Sequence, residues 1–468
     1  MGHIVFATLG LTSLANTNLE MSRVLRAAGH RTTFVAPADR VGPIEAQGEN
    51  AVALTSSDVF RSRAAADSPP RTPTQIPGWV RRRRQLREES IQDRELQATI
   101  AALDPDVVLI DIEFHAAVLA TEQLGVPRIA VTNYFSVFRR PGLPPPSTSL
   151  APPTTWLGRR RIELAWLDVW LRGRAGRVRH RLSPSGLAAL LRPVSVATTD
   201  PADIARLARH HGVNLRGRTD DRQWLRPFLY PELPMVSYNA FEMELPHEPP
   251  AILSYVGPMV RLDRAESATD EADRERWESL LAARSAGSER RPLVYATLGT
   301  FWGADQSLLR RIIGAFEHRG DWDLVLGLGG TVDPGALAPV PPNVHLLSWA
   351  PQLEVLAHAD CAITHGGIGT IDEAIWFGVP LVVYSTGFVD QDGCARRVDL
   401  HRLGVWGDPA NDDSAAIGAA IERALSDPDI TSAVASMAEV FRSHAASGAA
   451  VNAVEQHLPA QPQGLAHH

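Results

Sequence analysis

Short apolar runs alternate along this chain with stretches in which apolar residues recur every three or four positions. Ile4 to Leu9 is apolar apart from Thr8 and reads as a buried strand. After a short loop, Met21, Val24, Leu25 and Ala28 fall at i, i+3, i+4 and i+7, which makes one face of a helix, and Gly29 can cap its C-terminus. Thr32 to Ala36 is the next strand, stopped by Pro37. Strand and helix keep alternating in this way, the pattern of parallel sheets covered by helices.

One unit occurs twice. Val107 to Ile110 reads as a strand and Asp111 to Leu124 as a polar turn and helix; Gly125-Val126-Pro127 and a second strand, Arg128 to Val131, follow. In the other half the same order runs through Cys361 to Thr364, Gly369 to Phe377, Gly378-Val379-Pro380 and Leu381 to Tyr384. The repeat predicts an α/β protein with two Rossmann-like domains rather than one large sheet. Residues 1–258 form the first domain and 259–290 a linker region, with the charge-rich stretch Arg261 to Arg276 inside it. Residues 291–436 form the second domain, and 437–468 hold a helix that packs back on the first domain, plus a tail. A length of 468 residues accommodates this division.

Composition removes several functions. All 46 basic residues are arginine, so a Schiff-base lysine and the lysine of a phosphate-binding P-loop are both excluded. A net charge of -7 gives no overall basicity for nucleic acid. The two cysteines, Cys361 and Cys394, cannot build a disulfide framework and lack metal-ligand spacing. No apolar run is long enough for a membrane span, and the N-terminus lacks the features of a signal peptide, so a cytoplasmic location is expected. The segment 156–192 stands apart. It is Arg-rich with Trp156, Trp166 and Trp170, and reads either as a solvated helical cover on the sheet or as a surface for peripheral membrane contact.

The chemistry concentrates between Trp349 and Val398. A strand ending near His365 runs into Gly366, Gly367 and Gly369, and a helix opens at about Thr370. Glycines let a ligand approach the backbone closely, and the free N–H groups of a helix N-terminus, with about half a positive charge, suit phosphate. His365 can donate a hydrogen bond there. Glu373, one turn on, can accept from ribose hydroxyls, Trp349 can stack a base, and Asp390 and Gln391 can reach sugar hydroxyls. Taken singly, Trp349 is more readily a core residue than a base platform, Asp390 a surface carboxylate and the glycines a turn. Their order together is far more specific.

That order resembles the nucleotide-sugar signature of the family 1 glycosyltransferases, the group of plant and animal UDP-glycosyltransferases and bacterial antibiotic glycosyltransferases. The matching residues are Trp349, Pro351-Gln352, Leu356, His365-Gly366-Gly367, Gly369-Thr370, Glu373, Gly378-Val379-Pro380 and Asp390-Gln391. The resemblance implies a GT-B fold, two Rossmann-like domains facing each other across the active-site cleft. It implies that Trp349 stacks the base, Gln352 contacts base or ribose and Glu373 holds the ribose. His365, Gly367 and Thr370, helped by Thr300, would contact the diphosphate, and Asp390 and Gln391 the sugar. The implied reaction is inverting displacement without cofactor or metal. Its partners would be a nucleotide-sugar donor (UDP first, TDP second, a glucose-like hexose) and a hydrophobic small-molecule acceptor such as a natural product, or alternatively a glycolipid at a membrane. The Asp104/Asp106 and Asp321/Asp323 pairs flank strands and read better as turn residues than as metal ligands.

The chain departs from the family where the acceptor is activated. The usual histidine after the first strand falls on Leu14, within an acceptor wall at Thr12 to Thr17 that includes Ser13. Leucine cannot take a proton. Asp111 keeps the place of the carboxylate that orients that histidine, and Asp111, Glu113 and His115 all follow a strand end where clefts open. His115, or failing that Asp111 or Glu113, is therefore expected as general base; an acceptor acidic enough to need little help is the other solution. At the donor end, Ser385 and Cys394 replace the family's usual proline and asparagine, and one extra residue precedes Asp390. Two competing functions remain: a relative that binds nucleotide sugar without turnover, which Leu14 keeps open, and a nucleotide-sugar epimerase, which the signature argues against.

Overall fold

A computed structural model of the protein describes residues 1–10, 12–55, 72–182, 194–195, 197–220, 222–224, 230–264, 271–286, 290–299, 306–330 and 332–459. Two parallel sheets organise them. The first holds β1 (His3–Ala7), β2 (Arg31–Pro37), β3 (Ala51–Leu54), β4 (Val107–Asp111), β5 (Arg128–Thr132), β6 (Met235–Ser237) and β7 (Leu253–Tyr255), in the order β3-β2-β1-β4-β5-β6-β7. The second holds β8 (Leu293–Thr297), β9 (Asp323–Gly327), β10 (Val344–Leu347), β11 (Cys361–Thr364), β12 (Leu381–Val383) and β13 (Gly404–Trp406), in the order β10-β9-β8-β11-β12-β13.

Burial on both faces explains why the strands read as continuous apolar runs. Val5 and Ala7 enter one apolar cluster and Ile4 and Phe6 the other, the alternation that a pleated strand imposes. The helices used below are α1 (Thr12–Ala27), α2 (His115–Ala120), α3 (Trp156–Leu182), α4 (Glu271–Ala286), α5 (Gln352–His358), α6 (Ile368–Trp376), α7 (Gln391–Leu400), α8 (Pro428–Ala446) and α9 (Ala449–Glu455). The repeated unit is present in both halves: β4, α2 and β5 correspond to β11, α6 and β12, and each strand pair is hydrogen-bonded in parallel register. Strand order reverses between β1 and β4 in one sheet and between β8 and β11 in the other. Ligand crevices open at the carboxyl ends of such strands.

Two expected boundaries move. Within 259–290, α4 buries Trp277 and Leu280 in the second domain's core, so it belongs to that domain and the described linker shortens to the residues between Gly257 and α4. The crossing back to the first domain lies at Gly448 rather than at residue 437. Helix α8 still buries Ile430, Val434, Met437 and Phe441 in the second core. Gly448, at φ 72°, turns the chain, and α9 then buries Ala450, Ala453 and Val454 beside β1 and α1. His30 Nε2 meets Glu455 Oε1 there at 3.0 Å. A second junction joins the halves in front: Phe135, Ala240 and Met243 of the first domain lie in the second domain's core with Ala395 and Val398.

Candidate functional site

The turn after β11 is built around one imidazole. A Cβ added to Gly299, at the end of β8, would lie 2.7 Å from His365 Cε1, and one added to Gly367 would lie 2.7 Å from His365 Nε2. Only glycine on both sides lets the ring lie between the two turns. Gly366 takes φ 91°, and a Cβ there would stand 3.1 Å from the Gln391 carbonyl oxygen. Burial holds His365 down at about 4, against a weaker upward pull from the Thr297 backbone, so the ring is neutral near pH 7. Its Nδ1 is buried without a hydrogen-bond partner among the described residues. Helix α6 starts at Ile368, two residues ahead of the expected Thr370, with Gly367 at its N-cap position. Gly369 and Thr370 thus fall in its first turn, half-buried. Backbone N–H groups and a neutral N–H donor therefore gather at one point, an arrangement suited to an anion.

Glu373 lies farther along α6, buried. Gln352 Nε2 donates to its Oε2, and Tyr295 Oη donates to Gln352 Oε1 at 3.2 Å. A linker residue that the sequence did not single out completes the group. Arg264 forms an ion pair with Glu373 through Nη1 and Oε1, and its Nη2 stands 3.4 Å from Oε2. Trp349 keeps 37% of its surface exposed. Its indole lies against the turn at Gly330, where a Cβ would come 2.7 Å from Nε1, and its backbone N–H donates to Asp273 Oδ2 at 2.9 Å. The second domain thus carries a partly exposed indole and, on the same helix as the anion site, a carboxylate held by Gln352 and Arg264.

Asp390 and Gln391 open α7. Gln391 Oε1 accepts from Thr386 N at 3.2 Å and Thr386 Oγ1 at 2.8 Å, which ties it to the preceding loop. That loop contains Gly387 at φ 74° and Val389 at φ 55°. A β-branched residue in the left-handed region is strained, and such strain gathers at functional sites. Asp390 is buried and pushed up to about 6 by desolvation. Cys394, in the place of the usual asparagine, directs its Sγ to Asp390 Oδ2 at 3.6 Å.

In the first domain, two carboxylates at the carboxyl end of β4 stand in very different settings. Asp111, at the end of β4, is 1% exposed and accepts from Thr8 Oγ1 at 2.7 Å, Leu9 N at 2.8 Å and Asn18 Nδ2 at 2.8 Å. It clasps the turn after β1 to α1 and offers nothing to an incoming hydroxyl. Burial pushes it up to about 6, against those three hydrogen bonds. Glu113, two residues on, is half-buried; its backbone carbonyl accepts from His115 N at 3.0 Å, and no described residue hydrogen-bonds or ion-pairs with its carboxylate. Burial raises its pKa most, followed by the charges of Asp111 and, from the second domain, Asp390. Tyr134 stands in the same field, raised by burial and then by Glu113, Asp390 and Cys394.

Two expected residues face elsewhere. His115 is 0% exposed and its ring lies 5.8 Å from the Tyr230 ring in the core. That enclosure corrects its assignment as general base, because no hydroxyl can come within hydrogen-bond reach. Leu14 is corrected likewise: it packs in the cluster of Ile4, Phe6 and Tyr238 and forms no open acceptor wall. The side chain of Ser13 and all of Thr300 lie outside the described residues.

Among the described residues, no three His, Cys, Asp or Glu side chains are grouped as a metal-ligating set. Asp106 Oδ2 accepts the His3 N–H at 2.7 Å, Asp104 ends a helix at φ 46°, Asp321 pairs with Arg319 and Asp323 with Arg284. Both Asp-x-Asp pairs therefore serve strand ends. No helix among the described residues is long and apolar enough to cross a membrane.

A family described as "Erythromycin biosynthesis protein CIII-like, C-terminal domain" matches residues 319–456. The chain is 34% identical over 165 residues to the NDP-glycosyltransferase YjiC of Bacillus subtilis (strain 168), a match spanning 35% of this chain but only 41% of that relative. It is 25% identical to the oleandomycin glycosyltransferase of Streptomyces antibioticus over 98% of this chain and 91% of that one. Among solved structures, the glycotransferase of kitacinnamycin superposes with a TM-score of 0.62 at 22% identity, covering 98% of this chain and 99% of the other. That likeness establishes the shared two-domain fold.

Proposed function

We propose that this chain, which belongs to the family 1 glycosyltransferases of GT-B fold, moves a glucose-like hexose from a nucleoside diphosphate onto a hydroxyl of a hydrophobic small molecule of the natural-product class, with inversion. UDP is the first choice of carrier and TDP the second. The observation that carries the proposal is the imidazole of His365 held between Gly299 and Gly367 at the start of α6, with the uncommitted Glu113 carboxylate of the other domain within electrostatic reach of Asp390.

In this scheme the diphosphate sits on the first N–H groups of α6 and on His365, with Gly367 and Thr370 beside it. The base lies on Trp349, and Gln352 and Glu373 hold the ribose. Asp390 and Gln391 hold the sugar. The acceptor hydroxyl gives its proton to Glu113 as its oxygen bonds to the anomeric carbon. The bond from that carbon to the diphosphate oxygen breaks, and its electron pair leaves with the nucleoside diphosphate. N–H dipoles and His365 meet the developing charge, so the scheme needs no metal. Glu113 takes the base role that sequence order gave first to His115, because Glu113 alone of the three candidates is both ionisable and uncommitted.

The test is release of free nucleoside diphosphate from UDP-glucose and TDP-glucose, with and without candidate acceptors. Acceptor-dependent release that Glu113→Gln abolishes supports the scheme. Nucleotide binding with no release under any acceptor would favour the silent relative, and an epimeric nucleotide sugar would favour the epimerase.

A glycolipid acceptor is the second reading, and helix α3 favours it. Leu157, Leu164, Leu171 and Val178 recur every seventh residue on its outer face and are all exposed, together with Trp156 and Leu167, while Ile162 and Trp166 anchor the inner face. Exposed Arg159, Arg160, Arg161, Arg172 and Arg174 accompany the apolar row. Such a helix can lie in an anionic lipid surface. Sedimentation with phosphatidylglycerol vesicles, lost in Leu164→Asp/Leu171→Asp, is the expected result; no sedimentation removes this reading.

A further inference from the structure

The donor carboxylate Glu373 is already engaged, and by an unusual partner. Arg264 comes from the linker between the domains rather than from either sheet. Its guanidinium meets Glu373 with only 10% and 9% of the two side chains exposed. Gln352 Nε2 donates to the same carboxylate. An ionised carboxylate offers about four lone-pair sites. Arg264 Nη1 takes one on Oε1, while Gln352 Nε2 and the longer contact from Arg264 Nη2 take two on Oε2. One site, on Oε1, is left.

A ribose presents two neighbouring hydroxyls, a paired donor with nearly the shape of a guanidinium fork. The fork and the diol compete for the same double face of a carboxylate. Displacing Arg264 would leave a poorly exposed charge without its partner, which is costly. A 2′-deoxyribose asks less: its single 3′-hydroxyl fits the one open site and leaves the ion pair in place.

We infer that Arg264 is a nucleotide-selectivity residue: by holding Glu373 it cancels the advantage of a 2′-hydroxyl, so that 2′-deoxyribonucleoside diphosphate sugars of the thymidine class are accepted at least as well as ribonucleotide ones. This rests on the donor-site assignment above and deepens it toward the second of the two carriers. It assigns no step of the chemistry to Arg264.

UDP and 2′-deoxy-UDP differ only in the hydroxyl at issue. Calorimetric titration of the full chain with each is the test, on wild type, Arg264→Ala and Arg264→Gln. The second variant keeps a neutral donor in place should the first fold poorly. Wild type binds the two nucleotides within about threefold. Arg264→Ala gains about tenfold for UDP, the effect of one added hydrogen bond to a charged group, and changes much less for 2′-deoxy-UDP. Arg264→Gln shifts the same ratio in the same direction. A wild-type preference for UDP of tenfold or more would overturn the inference, as would variants that move both nucleotides equally; either outcome would make Arg264 a latch that any donor displaces. If neither nucleotide binds wild type, the donor-site assignment itself falls.

Discussion

Arg397 of the second domain and Glu244 of the first form an ion pair across the domain junction with almost no exposure, 2% and 1% of their side chains. Arg397 Nη2 and Nε both reach Glu244 Oε2, and Nη1 donates to the Gly393 carbonyl at 3.0 Å. The Glu244 Oε1 accepts from Ser136 N and, at 2.9 Å, from Tyr255 Oη. The guanidinium also lies 4.1 Å above the Phe135 ring. Because Arg397 sits on α7, two turns from Asp390, this pair fixes where the Asp390 end of that helix stands relative to the first domain.

Removing one partner strands the other in a dry site. Arg397→Ala is expected to lower unfolding free energy by about 3–5 kcal/mol, read from urea titration. The pair also gives an acid limb. Burial works to raise the Glu244 pKa, but attraction and hydrogen bonding from Arg397 outweigh it, and the net shift is downward. A depressed folded-state value stabilises above the unfolded glutamate value of 4.5 and is lost as pH falls through the folded one. Glu244→Gln should therefore be less stable than wild type at pH 7, with the difference closing in acid. A constant difference across that range would contradict the assignment.

Glu113→Gln keeps the shape of the side chain and removes its basicity. Turnover should fall by about 10²–10⁴ while nucleotide affinity stays within a few-fold. The base works ionised, so the wild-type rate falls as pH drops through a Glu113 pKa raised above the ordinary 4.5 by burial and by the Asp111 and Asp390 charges. The pH–rate profile of the full chain checks both. Full activity in the glutamine variant would return the base role to another group.

His115→Ala has a different expected signature. It empties space in a fully enclosed site, so it should lower the melting temperature. Turnover of the folded fraction should stay within a few-fold of wild type. A large loss of turnover at unchanged stability would restore His115 to the chemistry.

Gly367→Ala tests the imidazole cradle without deleting any functional group. No positive φ is required at this position, but the new methyl would lie 2.7 Å from His365 Nε2 and displace the ring. Donor affinity should fall about tenfold or more, as it should in His365→Ala, with little change in melting temperature. Unaltered affinity in both variants would move the diphosphate elsewhere.

Much of the fold was legible because it is written locally. The two strand–helix–Gly-Val-Pro–strand units stand contiguous in sequence and fold as β4–α2–β5 and β11–α6–β12. The proposed donor cradle could be outlined for the same reason, since Trp349 to Gln391 is one uninterrupted stretch. What stayed hidden depends on contacts made over long separations. Arg264 meets Glu373 from 109 positions away, and Glu244 meets Arg397 across 153; nothing in a charge-rich linker says which arginine turns inward. Position at a strand end also fails to give side-chain direction. Asp111, Glu113 and His115 share one turn, yet the first clasps Leu9, the second stays uncommitted in the field of Asp390 and the third enters the core. Residue 437 falls inside a helix that continues to Ala446, and the break comes only at Gly448, between two apolar helical stretches.

A nucleotide-sugar site made from N–H groups and side chains alone is open to a direct measurement: calorimetric titration of the full chain with UDP, TDP and their glucose conjugates, with and without EDTA. Such a site gives saturable binding of at least one nucleotide, unchanged by EDTA and weakened in Trp349→Ala. Absence of binding to all of them, or binding that EDTA abolishes, would contradict it.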